Sequence, residues 1–371
     1  MLSVLRNLIN FSKSELLENH VIYTINKDLV SDYHTEKLDG AISEQVFYYS
    51  PKWNFYHTCK RLSKLIKDEQ AVLITNDWLE LGMISHLGLQ NPVVSILHGD
   101  FDYYYDLAKS HSNGIDKFIC ISPSIAQKLN TILPDRKNDI TYKRFPVPEI
   151  NFSAKENKVL RCIYYVRELK EERKQLALLP EINQQLIVNK VNVFWTIAGG
   201  GLTNKEFEEL WGKSRCGNVD FKGRLSNEAI IDELSANDIY ILPSLLEGFP
   251  VALVEAMKAG VVPIITNWGG AVTELVIHNE TGFYCNIKDA VGYAETIMQL
   301  NSNRKRLSQL SINAAEKAGV LFNPFSNTKE FENIFLAVFE KKRLKKKQVK
   351  VYGSRMDQPW IPNWITIAVR K

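Results

Sequence analysis

The sequence predicts an α/β protein made of two doubly wound parallel-sheet domains in tandem, and three observations carry that prediction. Its 371 residues suit two domains at roughly 150 residues each. Short apolar runs rich in Val, Ile and Tyr alternate with amphipathic stretches, the rhythm of parallel βα units. A Pro-containing stretch, residues 145–152, then splits the alternation into two series.

In the first series the expected strands are residues 20–25, 45–49, 71–75, 93–98, 117–122 and 140–145. Residues 55–66 carry apolar side chains at helical spacing, and residues 124–133 follow Pro123 at a favourable first helical position. The second series reads as strands at 159–166, 193–198, 219–221, 239–242 and 261–265. Helices are expected near 175–186, 204–211, 227–234 and 250–259, with a further one around 328–342. The domain boundaries that follow are 1–148, 149–345 and a terminal segment 346–371, in which Trp360, Ile361, Trp364, Ile365 and Val369 form a candidate apolar face.

Composition narrows the function. Hydrophobic residues at 45% and charged residues at 24% exclude disordered and fibrous classes. The net charge is +4, but a basic run opening at Lys341 and closing at Lys350 holds seven basic residues and no acid, so the rest of the chain is slightly acidic. That distribution argues against nucleic acid as a partner, since a nucleic-acid surface needs a basic stripe on the folded body. The run itself has three readings: a solvated helix end, a peripheral contact with an anionic membrane face, or a nucleic-acid contact. Five scattered cysteines without a CxxC pair suggest neither a disulfide framework nor zinc, and fit a reducing cytoplasm. No apolar run is long enough to span a membrane.

In open parallel sheets, ligands sit beyond the carboxyl ends of the strands. The richest stretch there is Leu242-Pro-Ser-Leu-Leu-Glu-Gly-Phe-Pro-Val-Ala-Leu-Val-Glu255, in which a strand ends, a loop carries Glu247 and a helix opens at Pro250. Two carboxylates thus flank a helix N-terminus, whose partial positive charge attracts an anion such as a diphosphate. An ionised carboxylate only accepts hydrogen bonds, so each can hold neighbouring hydroxyls of a sugar. With Pro-Ser before it and Gly-x-x-Pro-x-Ile after it, this segment resembles the donor-binding signature of retaining glycosyltransferases of family 4, which have the GT-B fold of two Rossmann-like domains facing a cleft. The resemblance extends over most of residues 160–285.

That resemblance implies a nucleotide-sugar donor, UDP- or GDP-linked, and transfer to a hydroxyl of a glycan, lipid-linked or small-molecule acceptor. It implies no required metal and a front-side mechanism in which the departing phosphate helps deprotonate the acceptor. Glu255 would hold the ribose and Glu247 the donor sugar. Backbone amides of Gly248, Phe249, Pro250 and Val251, with Ser244, would meet sugar or phosphate, and Gly223, Arg224 and Leu225 would border the base. Arg167 and Lys174 match the family's cationic pair for the leaving diphosphate, with Arg173 competing for the second place; Val166 and Gln175 stand where glycines are usual. His98, at a strand end in the first half, matches the family's active-site histidine, and closing the cleft would bring it towards the sugar. Asp100-Phe-Asp102 spells an Asp-x-Asp metal pattern too short to be specific. Residues 1–17 look like the helix that follows the family's first strand and Gly-rich loop. Either the natural start lies upstream, or the protein works without that loop as an impaired homologue that binds a nucleotide sugar or a partner.

Overall fold

The computed structural model describes residues 2–29, 37–152, 157–170, 172–212, 218–341, 346, 349 and 354–370. It divides into two compact units, residues 1–146 with 324–371 and residues 147–323.

The first unit opens with α1 (Leu2–Asn10), β1 (Asn19–Asn26) and β2 (Ala41–Tyr49). It continues through α2 (Phe55–Ser63), β3 (Leu73–Thr75), α3 (Trp78–Leu87), β4 (Val93–Leu97), α4 (Asp102–Ser110), β5 (Lys117–Cys120), α5 (Pro123–Ile132) and β6 (Ile140–Tyr142). All six expected strands are present. Every residue of β4 is buried, as expected for a parallel strand covered on both faces. Local chemistry starts the helices: Asn54 and Ser122 cap α2 and α5 through their side chains, with Pro123 in the first turn of α5. Strands β3-β4-β5-β6 form one parallel sheet, while β1 and β2 form a separate parallel pair.

The second unit runs β7 (Leu160–Glu168), α6 (Leu178–Val188), β8 (Val193–Gly200), α7 (Asn204–Trp211), β9 (Val219–Gly223), α8 (Asn227–Ala236) and β10 (Ile239–Leu242). After these come α9 (Val251–Lys258), β11 (Val262–Thr266), β12 (Phe283–Cys285), α10 (Ala290–Ser302) and α11 (Arg304–Leu321). The strands make one parallel sheet in the order β12-β11-β10-β7-β8-β9. Its core is apolar and completely buried at Cys162, Ile163, Trp195, Ile197, Ile239, Ile241 and Ile264. The α6 helix starts three residues later than the sequence suggests, because Gln175 has φ +53° and cannot continue a right-handed helix.

Two expectations about the C-terminal third are corrected. The helix predicted around 328–342 is α12 (Pro324–Glu340), but it belongs to the first unit, so the chain returns at residue 324 rather than 346. Its ties explain why: Asn327 Nδ2 donates to the Phe145 carbonyl at 3.3 Å, Ser12 Oγ to Glu332 Oε1 at 2.6 Å, and Phe331 is fully buried. The last helix, α13 (Asn363–Val369), does not pack through its tryptophans, since Trp360 is 74% and Trp364 70% exposed. Polar bonds hold the segment instead. Asn54 Nδ2 donates to the carbonyls of Met356, Gln358 and Ile361 at 2.9–3.0 Å, and Asp357 accepts from the Phe55 amide at 2.8 Å and from Arg370 at 2.8 Å.

The described part of the basic run is also engaged. Lys346 Nζ, only 6% exposed, donates to the carbonyls of Asn91 and Gly114 and pairs with Asp116 at 2.7 Å; Lys341 pairs with Asp139 at 3.4 Å. Residues 342–345, 347, 348 and 350 lie outside the described residues. No described helix is long and apolar enough to cross a membrane.

Candidate functional site

Strand order decides where a ligand can sit in the second unit. From β7 the chain moves outward through β8 to β9, then returns to the other side of β7 and moves outward through β10, β11 and β12. The loops after β7 and β10 therefore diverge at this switch point and leave a crevice at the carboxyl edge. Arg173 and Lys174 follow β7, and Ser244 and Glu247 follow β10.

The two loops are joined. The Leu245 amide donates to the Arg173 carbonyl at 2.8 Å, and the Tyr164 hydroxyl to the Lys174 carbonyl at 2.9 Å. Between them Glu247 is almost enclosed, its side chain 6% exposed. Lys174 Nζ and Ser244 Oγ both donate to Glu247 Oε1 at 2.6 Å, and Arg173 Nη1 lies 3.8 Å from Oε2. One carboxylate facing two cations leaves a net positive charge, the sign that a departing diphosphate requires. Ser244, expected to bind the donor, spends its hydroxyl on orienting Glu247. Both candidates for the second cation are brought to Glu247, Lys174 the closer. Arg167, at the end of β7, is exposed and forms no ion pair with another described residue.

Four residues after Glu247, α9 begins at Val251. Of its first-turn amides, that of Leu253 donates to the Pro250 carbonyl at 3.1 Å, while those of Val251 and Ala252 lie ahead of any i−4 acceptor and are aimed along the helix axis past Pro250. Pro250 has no N–H, so the expected backbone donors reduce to Gly248, Phe249 and Val251. The Phe249 ring packs against Phe322, centroids 5.2 Å apart, and serves the core. Glu255 sits half-buried on α9, one turn in from Val251.

The ends of β8 and β9 form the neighbouring wall. Gly199 and Gly201 carry φ +154° and +91°, and a Cβ at either would collide with the Val166 carbonyl or the Glu168 carboxylate. Arg224, exposed after Gly223, lies over Gly200 and 3.8 Å from Glu168, while Leu225 is half-buried beside it. The tight Gly-rich turn thus makes room for a Glu168–Arg224 pair that sequence reading missed.

In the first unit, His98 follows β4 and its Nε2 donates to Asn76 Oδ1 at 2.7 Å; Asn76 itself follows β3. Burial holds the His98 pKa well below the usual imidazole value, so the ring is neutral at pH 7. Its Nδ1 is buried and has no hydrogen bond with another described residue. The partner Asn76 carries no motif of its own, and only its place one residue beyond a strand end could have flagged it. Asp100 accepts from the Tyr105 hydroxyl at 2.7 Å, and both Asp100 and Asp102 pair with Lys128, at 3.5 and 3.3 Å.

Comparison with known proteins bears on the fold. Residues 147–317 match the family described as Glycosyl transferases group 1. The chain is 31% identical over 120 residues to N-acetyl-alpha-D-glucosaminyl L-malate synthase of Bacillus anthracis, a stretch covering 32% of this chain and 31% of that one. The chain spans about a quarter to a third of the length of the curated relatives it matches. Among solved structures it resembles sucrose-phosphate synthase of Thermosynechococcus elongatus, with TM-score 0.73 and 16% identity over 90% of this chain and 92% of that one. It also resembles Anabaena HepE in complex with UDP and glucose, with TM-score 0.68 and 14% identity over 86% of this chain and all of that one. The shared fold is GT-B, two α/β units with parallel sheets, and within it residues 147–317 are similar to the group 1 glycosyltransferases.

Proposed function

We propose that the protein is a retaining glycosyltransferase that moves a hexose-type sugar from a UDP- or GDP-linked donor to a hydroxyl of a glycan, lipid-linked or small-molecule acceptor, without a required metal and on the cytoplasmic side. The observation that carries the reading is the Glu247 cluster: a buried carboxylate flanked by Lys174, Arg173 and Ser244 at the switch point, in front of the α9 N-terminus. In this reading Lys174 and Arg173 neutralise charge growing on the leaving diphosphate, assisted by the first-turn amides of α9. Glu247 accepts from donor-sugar hydroxyls, and Glu255 accepts from the ribose. The neutral His98 ring hydrogen-bonds a sugar or acceptor hydroxyl, and the departing phosphate oxygen takes the acceptor proton. The small-molecule relative from Bacillus anthracis and the UDP- and glucose-bound HepE support the donor and acceptor classes.

A melting-temperature screen against UDP-glucose, UDP-N-acetylglucosamine and GDP-mannose, followed by measurement of nucleoside-diphosphate release, tests the reading. Glu255→Ala should weaken nucleotide affinity about tenfold, while Glu247→Ala should lower turnover 100-fold or more with a smaller effect on affinity. Wild-type behaviour in both variants refutes the site. The split sheet of the first unit favours a second reading, a nucleotide-sugar binder without turnover, which would show thermal stabilisation but no diphosphate release.

A further inference from the structure

The segment 354–370 of the first unit is folded with its polar groups inward. Asn363 Oδ1 accepts from the Asn54 amide at 2.7 Å, and Thr366, completely buried, donates to the Met356 carbonyl at 3.3 Å. Arg370 Nη1 donates to the carbonyls of Pro51 and Trp53 at 3.1 and 2.8 Å, and His57 Nε2 to that of Ile361 at 3.1 Å. The outward face is the complement of this. Apart from Arg355, the exposed residues of the segment are Pro359, Trp360, Pro362, Trp364, Ala368 and Val369, all apolar. A helix that faces water shows the reverse arrangement, with its polar side chains outward. Here the polar bonds inside hold two large rings in solvent, although tryptophan is among the residues most buried on average.

The charge around the face selects what covers it. Residues 50–67, on which the segment is anchored, present Lys52, Lys60, Arg61, Lys64 and Lys67 to solvent and contain no acid. Lys27 and Arg61 stand over the Trp53 ring, 4.6 and 4.9 Å from its centre. The neighbouring acids are engaged: Asp357 pairs with Arg370 at 2.8 Å, and Asp28 accepts from Ser50. A second copy of this chain docking through the same face would set cation against cation. A nucleic acid matches the charge, but its bases stack on aromatic rings, and four of the six exposed side chains here are aliphatic. An anionic bilayer satisfies both halves, since indole rings settle at the headgroup level and cations near the surface are drawn to acidic lipids.

We propose that residues 359–369 dock the first unit on an anionic lipid bilayer. Trp360 and Trp364 enter at the headgroup level, the aliphatic residues beside them meet the upper acyl chains, and Lys52, Lys60 and Arg61 lie over acidic headgroups. The bonds from Asn54, His57 and Arg370 fix the segment before contact, so docking orders little that was not ordered already. This surface is distinct from the basic run at 341–350, whose described lysines Lys341 and Lys346 are paired with Asp139 and Asp116. It includes no residue of the Glu247 cluster, so it stands or falls apart from the donor reading.

Vesicle cosedimentation of the full chain tests the proposal. The chain should pellet with vesicles of mixed phosphatidylcholine and phosphatidylglycerol and bind pure phosphatidylcholine at least 100-fold more weakly, on the order of a few kilocalories' worth of headgroup attraction. Trp360→Ser combined with Trp364→Ser should weaken binding to the mixed vesicles about 100-fold, roughly tenfold for each ring. Lys52→Gln combined with Lys60→Gln should weaken it about 25-fold at low salt, and less at high salt where the charges are screened. Both double variants should melt at the wild-type temperature, because the exchanged side chains are exposed. Lipids brominated near the headgroup should quench wild-type tryptophan fluorescence more than that of the tryptophan variant. Undiminished vesicle binding by the tryptophan variant overturns the proposal and assigns the contact to charge alone. Equal binding to neutral and anionic vesicles overturns it as well. So does an absence of vesicle binding, whether the tryptophan variant then loses a dimer, which would mark a face between copies, or loses retention on single-stranded RNA.

Discussion

Replacing Glu80 with Gln should stabilise the protein at alkaline pH and leave it unchanged in acid. Burial raises the Glu80 pKa from 4.5 to about 7; the Asp77 charge adds to this, while hydrogen bonds, including one from Thr24, oppose it. A carboxyl whose folded pKa lies above its unfolded value binds more protons when folded. Its contribution to stability is therefore fully present below pH 4.5 and is lost as pH rises through 7. At 1.36 kcal/mol per pKa unit the loss amounts to about 3 kcal/mol by pH 8. Glutamine does not titrate and keeps an oxygen for Thr24, so Glu80→Gln should match wild type at pH 4.5 and exceed it by about 3 kcal/mol at pH 8, or roughly 6–12 °C in melting temperature. Subtracting wild type at each pH cancels the opposite trend from His98 and His111. Their lowered pKa values make the folded state shed protons and cost stability as pH falls below about 6.5. Melting curves between pH 4.5 and 8.5 supply the comparison. A difference that does not grow with pH would mean that Glu80 is solvated rather than buried.

Three further outcomes follow from particular contacts. Lys174→Met should reduce turnover about 100-fold and Arg173→Met only about tenfold, because the ammonium contacts Glu247 at 2.6 Å and the guanidinium stands at 3.8 Å; the reverse ranking in a diphosphate-release assay would reassign the leaving-group cation. Gln175→Gly should raise stability by about 0.5 kcal/mol, since glycine adopts φ +53° without the side-chain clash but loses more chain entropy; a lowered melting temperature would contradict that backbone conformation. Lys346→Met should cost about 2 kcal/mol in urea unfolding by removing the ion-pair partner of the half-buried Asp116, whereas an unchanged midpoint would show that this lysine is solvated.

What the sequence revealed follows the range of the forces involved. Strands β4 and β10 were legible because parallel strands buried on both faces become unbroken apolar runs, and α7 because Thr203 and Glu206 build a capping box at its start. Helix α3 was not legible: Leu79, Leu81, Gly82, Met83, Ile84, Ser85 and His86 are buried on all sides, which erases the polar face that gives a helix its period. The site behaved the same way. Glu247 could be singled out from its loop and the helix after it, but its bond to Lys174 joins residues 73 apart and exists only because β10 lies against β7. Local spacing could not rank Lys174 over Arg173, since both follow β7 within six residues and only strand order determines which reaches the β10 loop. The tryptophans of the last segment misled for the converse reason. Their apolar area suggested packing, yet Asn54 offers Nδ2 donors to three carbonyls of that segment, and this polar anchor leaves Trp360 and Trp364 facing outward. Long-range order is thus set by hydrogen-bonded groups at strand and helix ends, the same positions that build the Glu247 cluster. Substituting Asn54 should accordingly release the distant terminal segment and weaken the α2 cap together, whereas substituting Ser244 acts locally, on a carboxylate three residues further along the same loop.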